Sequence, residues 1–356
     1  MKNKKLINQK KLEYQRREAE GSELMVSSIG SFIGVRQNKI CVKVQGKEVK
    51  TPVSNALKHI TVLTRAASIS AEAIHYCVEN QIPIDFFDGK GLCYASILKP
   101  VSIDQKLWQQ QAEMPNERKS ELASRILLGK IKNQLYLLKY FHKYHKKENE
   151  NRLVDCFQKS ENQINIILEK LKNYHSGNNS YQEELMALEA QSAVAYWEYV
   201  RNLLADDNVN FESRERKGAN DLFNSLLNYG YAILYPRVWQ AILAARLNPT
   251  IGVLHKYQAN KPTLSYDLIE IFRAQAVDRV VISLVQKSEP LLMNKNLLNE
   301  ETRKLLIKNI LERLNRYEKF QGEACRFEDI IRKQARDIAA YISGESKNFK
   351  PYLAKW

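Results

Sequence analysis

The chain has 356 residues, with 55 Lys+Arg against 40 Asp+Glu and a formal net charge of +15. A positive excess of that size points to a polyanionic partner and says nothing about fold. No apolar run approaches the ~20 residues of a membrane span, and the start MKNKKLINQKKLEYQRRE lacks the apolar centre of a signal peptide, so neither a membrane nor a secreted protein is expected.

In chain order, residues 1–22 read as a basic extension, a solvated helix or an arm for nucleic acid. From 23 to 100 the pattern is β-like. FIGVRQNKICVKVQGKEV alternates apolar and polar residues and turns at Gln37-Asn38 and near Gly46, as in a hairpin or meander. A short amphipathic helix over 70–79 follows. Then come the strand candidates IPIDFF and LCYASIL, parted by the tight-turn sequence Asp88-Gly89-Lys90-Gly91. After Pro100 the period changes. From Lys106 onward nearly everything reads as helix, broken at 113–116, 176–180, 205–220, 248–250 and 288–290. The expected class is α+β: a β-rich domain at 23–100, then an all-α domain at 101–356. Five scattered cysteines (Cys41, Cys77, Cys93, Cys156 and Cys325) with no CxxC pair fit a reduced, cytoplasmic protein.

Within the helical part, LMALEAQSAVAYWEYVRNLL places Leu185, Met186, Ala193, Tyr196, Val200 and Leu203 on one stripe at 3.6 residues per turn, with Glu189 near its centre. A carboxylate there is protonated, paired with a cation, holding a metal, or snorkelling from the rim to water. A second helix, expected to start at Ser265 as N-cap, carries Asp267 and Glu270 on the face that Ala274, Val277 and Val281 continue. His255 precedes this helix in a loop after the apolar Gly252-Val253-Leu254. Glu and His donors suit Mg²⁺ or Mn²⁺ with positions left for water and phosphate oxygens. Without an ion, such carboxylates would repel one another.

Basic residues are interleaved with aromatics. In GKIKNQLYLLKYFHKYHKK, Lys130, Lys132, Lys139, Lys143, Lys146 and Lys147 read as the solvated face of an amphipathic helix. Arg214, Arg216 and Lys217 lie in a loop before an Asn- and Tyr-rich helix and are candidates for gripping DNA phosphate.

ALEAQSAVAYW, NSLLNYGYAILY, NPTIGVLHKYQANKPTLSYDLIEIFR and NFKPYLAKW, in this order, resemble the CRISPR-associated spacer-acquisition integrase family, the universal first Cas protein. The resemblance implies an N-terminal β-sandwich used for dimerisation and partner contacts, ahead of an all-α catalytic domain. It implies Glu189, His255 and Glu270 as ligands of Mg²⁺ or Mn²⁺, with Asp267 in support. It also implies a prokaryotic cytoplasmic endonuclease and integrase of antiviral defence. Such an enzyme inserts short DNA fragments into a CRISPR repeat array by 3′-hydroxyl transesterification. The implied partners are double-stranded DNA, a second copy of the chain as homodimer, and a small second Cas protein dimer completing a heterohexamer. Gly218, where the family often has Pro, departs from the pattern. The rival readings are a catalytically inactive DNA-binding scaffold of the same complex and an unrelated metal-dependent phosphodiesterase.

Overall fold

The computed structural model describes residues 23–44, 47–50, 57–87, 93–99, 104–144, 151–205, 207, 209–216, 219–259, 261–287, 289–294 and 296–354. The basic extension 1–22, the turn over 88–91 and residues Lys146, Lys147, Lys217 and Gly218 lie outside them. The chain divides into two compact units, 1–100 and 101–356.

The first unit contains β1 (Glu23–Val26), β2 (Ser31–Arg36), β3 (Lys39–Val44), β4 (Lys47–Lys50), β5 (His59–Val62), β6 (Ser68–Ile69), α1 (Ala71–Glu79), β7 (Ile84–Phe87) and β8 (Cys93–Ile97). They form two four-stranded sheets, ordered β1-β5-β7-β8 and β4-β3-β2-β6. The β2–β3 hairpin turns at Gln37 and Asn38, both at positive φ (50° and 57°), the backbone that a two-residue hairpin loop needs. Ser70 caps α1 by accepting from the Ala73 amide. Alternate residues of both sheets (Leu24, Ile33, Ile40, Ile60, Ile84) and Ala73 and Cys77 of α1 share one core. The hairpin or meander expected over 32–49 is β2–β3–β4, and the strands expected on either side of the 88–91 turn, β7 and β8, also pair antiparallel. β1–β5, β5–β7 and β2–β6 pair in parallel, which crossover connections rather than turns produce.

The second unit is built on α2 (Gln105–Ala112), α3 (Asn116–Tyr144), α4 (Asn151–Lys172), α5 (Tyr181–Leu203), α6 (Leu222–Ala244), α7 (Thr263–Arg273), α8 (Arg279–Gln286), α9 (Glu300–Asn315) and α10 (Phe327–Ser343). A π-helical turn, Ala274–Asp278, joins α7 to α8. The unit is not helix alone: two antiparallel ribbons, β9 (Met293–Asn294) with β10 (Leu297–Leu298) and β11 (Tyr317–Phe320) with β12 (Glu323–Arg326), interrupt it. α7 starts at Thr263 behind Pro262, so Ser265 is a buried helical residue and not the N-cap.

α3 runs through the core. Its Asn133, fully buried, donates to the carbonyls of Ile271 (2.8 Å) and Tyr352 (2.9 Å) and accepts from the Ala354 amide (2.9 Å). Gln275 of the π turn donates to the Asn133 carbonyl at 2.9 Å. The segment 349–354 is thereby strapped across α3 and α7, with Phe349 and Tyr352 buried. No helix among the described residues is long and apolar enough to cross a membrane.

Candidate functional site

α5, α7 and α3 each turn one charged side chain towards the same point. Glu189 is buried on α5 between Leu185 and Ser192, as the apolar stripe requires. Glu270 is buried on α7, one turn after fully buried Asp267. Lys130 of α3 stands between the acids. Its Nζ donates to Glu189 Oε1 and lies 2.7 Å from Glu270 Oε2. Lys130 is therefore no part of a solvated face; it is buried together with its neighbours Ile126, Leu127, Ile131 and Gln134.

Arg273, the next residue along that edge of α7, holds Glu270 Oε1 at 2.5 Å. Burial opposes the charge on Glu270, but Arg273 and Lys130 beside it overcome that opposition and hold its carboxyl down at about 2. Glu270 Oε2 nevertheless accepts no aligned hydrogen bond; the Lys130 contact is one of charge.

His255 comes from the loop between α6 and α7, which is tied down at several points. Gln111 of α2 donates to the carbonyls of Asn248 (2.9 Å) and Ile251 (2.6 Å) and accepts from the Asn248 amide (3.0 Å). Tyr181 donates to the Val253 carbonyl at 2.8 Å. Asp267 accepts from the amides of Val253 (2.6 Å), Leu254 (3.0 Å) and His255 (2.9 Å), and from His255 Nδ1 at 2.7 Å. Gly252 is required by this closeness, because a Cβ there would sit 2.7 Å from Asp267 Oδ2 and 2.8 Å from the Thr263 carbonyl carbon. Taking the Nδ1 proton orients the ring and leaves Nε2 with its lone pair. Burial disfavours the imidazolium, yet the hydrogen bond and charge of Asp267, with the charge of Glu270, raise the His255 pKa above its ordinary value.

Beside the acid pair lies a cavity of about 240 Å³, lined among others by Lys130, Glu189, Glu270, Arg273, Arg214 and Arg216. Arg214 is set by Asn224 (2.9 Å) and Asn228 (2.6 Å), and Asn224 also accepts from the Glu215 amide and donates to the Ser213 carbonyl. Arg214 and Arg273 both lie over the Tyr231 ring, 5.3 and 4.8 Å from its centroid. The Tyr231 and Tyr196 hydroxyls donate to buried Asp278, at 2.6 and 2.8 Å. Burial raises the Asp278 pKa despite both hydrogen bonds.

Glu189 and Glu270 thus meet on one ammonium, and His255 comes within electrostatic reach of Glu270 and Lys130. Among the described residues, no three His, Cys, Asp or Glu side chains close on one point as they stand. The donor chemistry still fits a hard divalent ion: two carboxylates needing a cation, one oxygen without an aligned hydrogen bond, and an imidazole oriented through its other nitrogen. Sequence reading put Lys130 on a solvated face and missed Asp278. The helical-stripe test that found Glu189 also puts Lys130 beside Ile126, Leu127 and Gln134, and would have found it.

A family model described as CRISPR associated protein Cas1 matches residues 24–312, and the chain belongs to that family. It is 28% identical over 348 residues to the CRISPR-associated endonuclease Cas1 1 of Archaeoglobus fulgidus, covering 94% of this chain and 99% of the relative. In fold it is similar to a casposase bound to integration product (TM-score 0.76, 21% identity, 92% of each chain). It is also similar to a chain of a Cas6-RT-Cas1–Cas2 complex (TM-score 0.71, 19% identity), over 94% of this chain and 36% of the larger one.

Proposed function

We propose that the protein is a metal-dependent DNA endonuclease and integrase that inserts short DNA fragments into a CRISPR repeat array. The observation that carries this reading is the meeting of Glu189 and Glu270 on one cation beside the Asp267-oriented His255, at the edge of an arginine-lined cavity. The endonuclease name of the Archaeoglobus relative and the integration product held by the casposase support it.

Glu189, His255 and Glu270 would hold Mg²⁺ or Mn²⁺, which when bound supplies Lewis acidity to a phosphoryl oxygen and charge stabilisation in an in-line displacement. The chain's own residues do the rest. Asp267 fixes the His255 ring. Arg214 and Arg216 meet the phosphodiester, Arg214 already aimed by Asn224 and Asn228. Arg273 neutralises Glu270. A fragment's terminal 3′-hydroxyl attacks the repeat phosphodiester, a new P–O bond forms, and the repeat strand's 3′-hydroxyl departs. One bond is exchanged for another, so no nucleoside triphosphate is consumed.

The proposed partners are duplex DNA, a second copy of this chain, and a dimer of a small Cas2-type protein in a heterohexamer. The similarity in fold to a chain of a Cas6-RT-Cas1–Cas2 complex supports the last. The 23–100 region would serve dimer and partner contacts, and the place of action is the prokaryotic cytoplasm. The test is integration of a labelled short duplex into a supercoiled plasmid bearing a repeat, with and without the partner. Label joined to the repeat in Mg²⁺ or Mn²⁺ and lost in Glu189→Ala is the expected result. No joining or cutting under any metal condition would sink the proposal.

A further inference from the structure

Lys130 carries its ammonium into the interior and divides it between Glu189 of α5 and Glu270 of α7. A lysine that far from water is costly unless paired, and its two partners are the carboxylates assigned above to the divalent ion. The ammonium donates to Glu189 Oε1 and sits 2.7 Å from Glu270 Oε2, and a divalent ion drawn to the same two carboxylates would be repelled strongly by it in a dry site. The two occupancies exclude each other.

We propose that Lys130 is the resident counter-ion of the acid pair, and that a divalent ion enters by displacing its ammonium; this rests on the metal reading of the site. Three features support the exchange. With Lys130 in place, no three ligand side chains among the described residues close on one point. When the ammonium leaves, Arg273 still holds Glu270 Oε1, so that buried carboxylate keeps a cation throughout. Lys130 also lines the 240 Å³ cavity that Arg214 and Arg216 share, so the displaced side chain has somewhere to go, and that place is where a phosphodiester is met. The same lysine therefore keeps α3, α5 and α7 in register in the ion-free protein and turns to the DNA backbone once the ion has arrived.

The test is Mn²⁺ binding to the DNA-free protein, followed by electron paramagnetic resonance of the unbound ion, for the unaltered chain, Lys130→Met and Lys130→Arg. Removing the competitor is expected to tighten Mn²⁺ binding roughly tenfold or more in Lys130→Met, while Lys130→Arg binds no tighter than the unaltered chain. Equal or weaker binding by Lys130→Met overturns the exchange while leaving the metal reading intact. No Mn²⁺ binding by any of the three overturns both. In case Lys130→Met does not fold, the same question is put to the unaltered protein by limited reductive methylation read by mass spectrometry. Lys130 is expected to be protected without Mg²⁺ and several-fold more reactive with it; unchanged protection overturns the inference.

Discussion

Asp267 holds His255 twice through one oxygen: Oδ1 accepts from the backbone amide at 2.9 Å and from ring Nδ1 at 2.7 Å. Ring and backbone are thereby fixed by the same atom, and Oδ2 fixes the two preceding amides. Asp267→Ala should leave three amides, two of them buried, without their acceptor and cost about 3 kcal/mol or more in urea unfolding. Asp267→Asn should retain more stability yet lose most DNA cutting and joining. An Asp267→Asn protein with unchanged turnover would show that the His255 orientation is irrelevant.

Glu189→Ala and His255→Ala should each abolish cutting and joining in Mg²⁺ or Mn²⁺ while fold and DNA binding persist. Sequence alone suggests that removing one of two repelling acids stabilises the ion-free protein. Lys130 reverses that expectation, since Glu189→Ala strips a buried ammonium of one partner. A loss of about 1–3 kcal/mol is expected by urea titration, and a gain would contradict the Lys130 bridge.

Glu270 has a folded pKa of about 2 against an ordinary value of 4.5. A lowered carboxyl contributes stability that is complete above the unfolded value and is lost as pH falls from about 4.5 towards about 2, a contribution of roughly 3 kcal/mol in this buried setting. In the ion-free protein, Glu270→Gln should flatten the stability curve in that window. Curves that stay parallel there would exclude the Arg273 and Lys130 pairing as its cause.

Gly252→Ala should cost about 1–3 kcal/mol by thermal unfolding and lower activity further than that loss explains. Its Cβ would press on the Thr263 backbone, which cannot yield as a side chain can. An active, equally stable Gly252→Ala protein would mean that the loop is not held this closely.

DNA affinity should fall steeply with salt. Each phosphate neutralised on duplex DNA releases about 0.9 counterions, so several contacts lose orders of magnitude between roughly 50 and 200 mM. Unrelated duplexes should bind alike, because nothing in the sequence resembles a recognition helix with base-reading side chains. Affinity measured across a salt series decides this, and a flat response would assign the charge excess to another task.

The change from period 2 to period 3.6, the Gln37-Asn38 turn and the inward Glu189, Asp267 and Glu270 were legible because each is a local pattern. The parallel strand pairs were not, since pairing of β1 with β5 or β2 with β6 depends on partners distant in sequence. The ribbons at β9–β10 and β11–β12 are too short to carry alternation against their helical surroundings. Lys130 was misread because its long stem and its lysine neighbours imitate a wet surface. Only the two acids, 59 residues and more away in the chain, reveal what it is for.

The strap of 349–354 bears on how the protein comes to life. Asn133 and Ala354 are 221 residues apart, yet one bonds the other beside the helices that carry Lys130 and Glu270. Closing so long a span is a late event in folding, and on the ribosome it must await synthesis of Ala354. A nascent chain can therefore hold α3, α5 and α7 already made and still lack a finished centre.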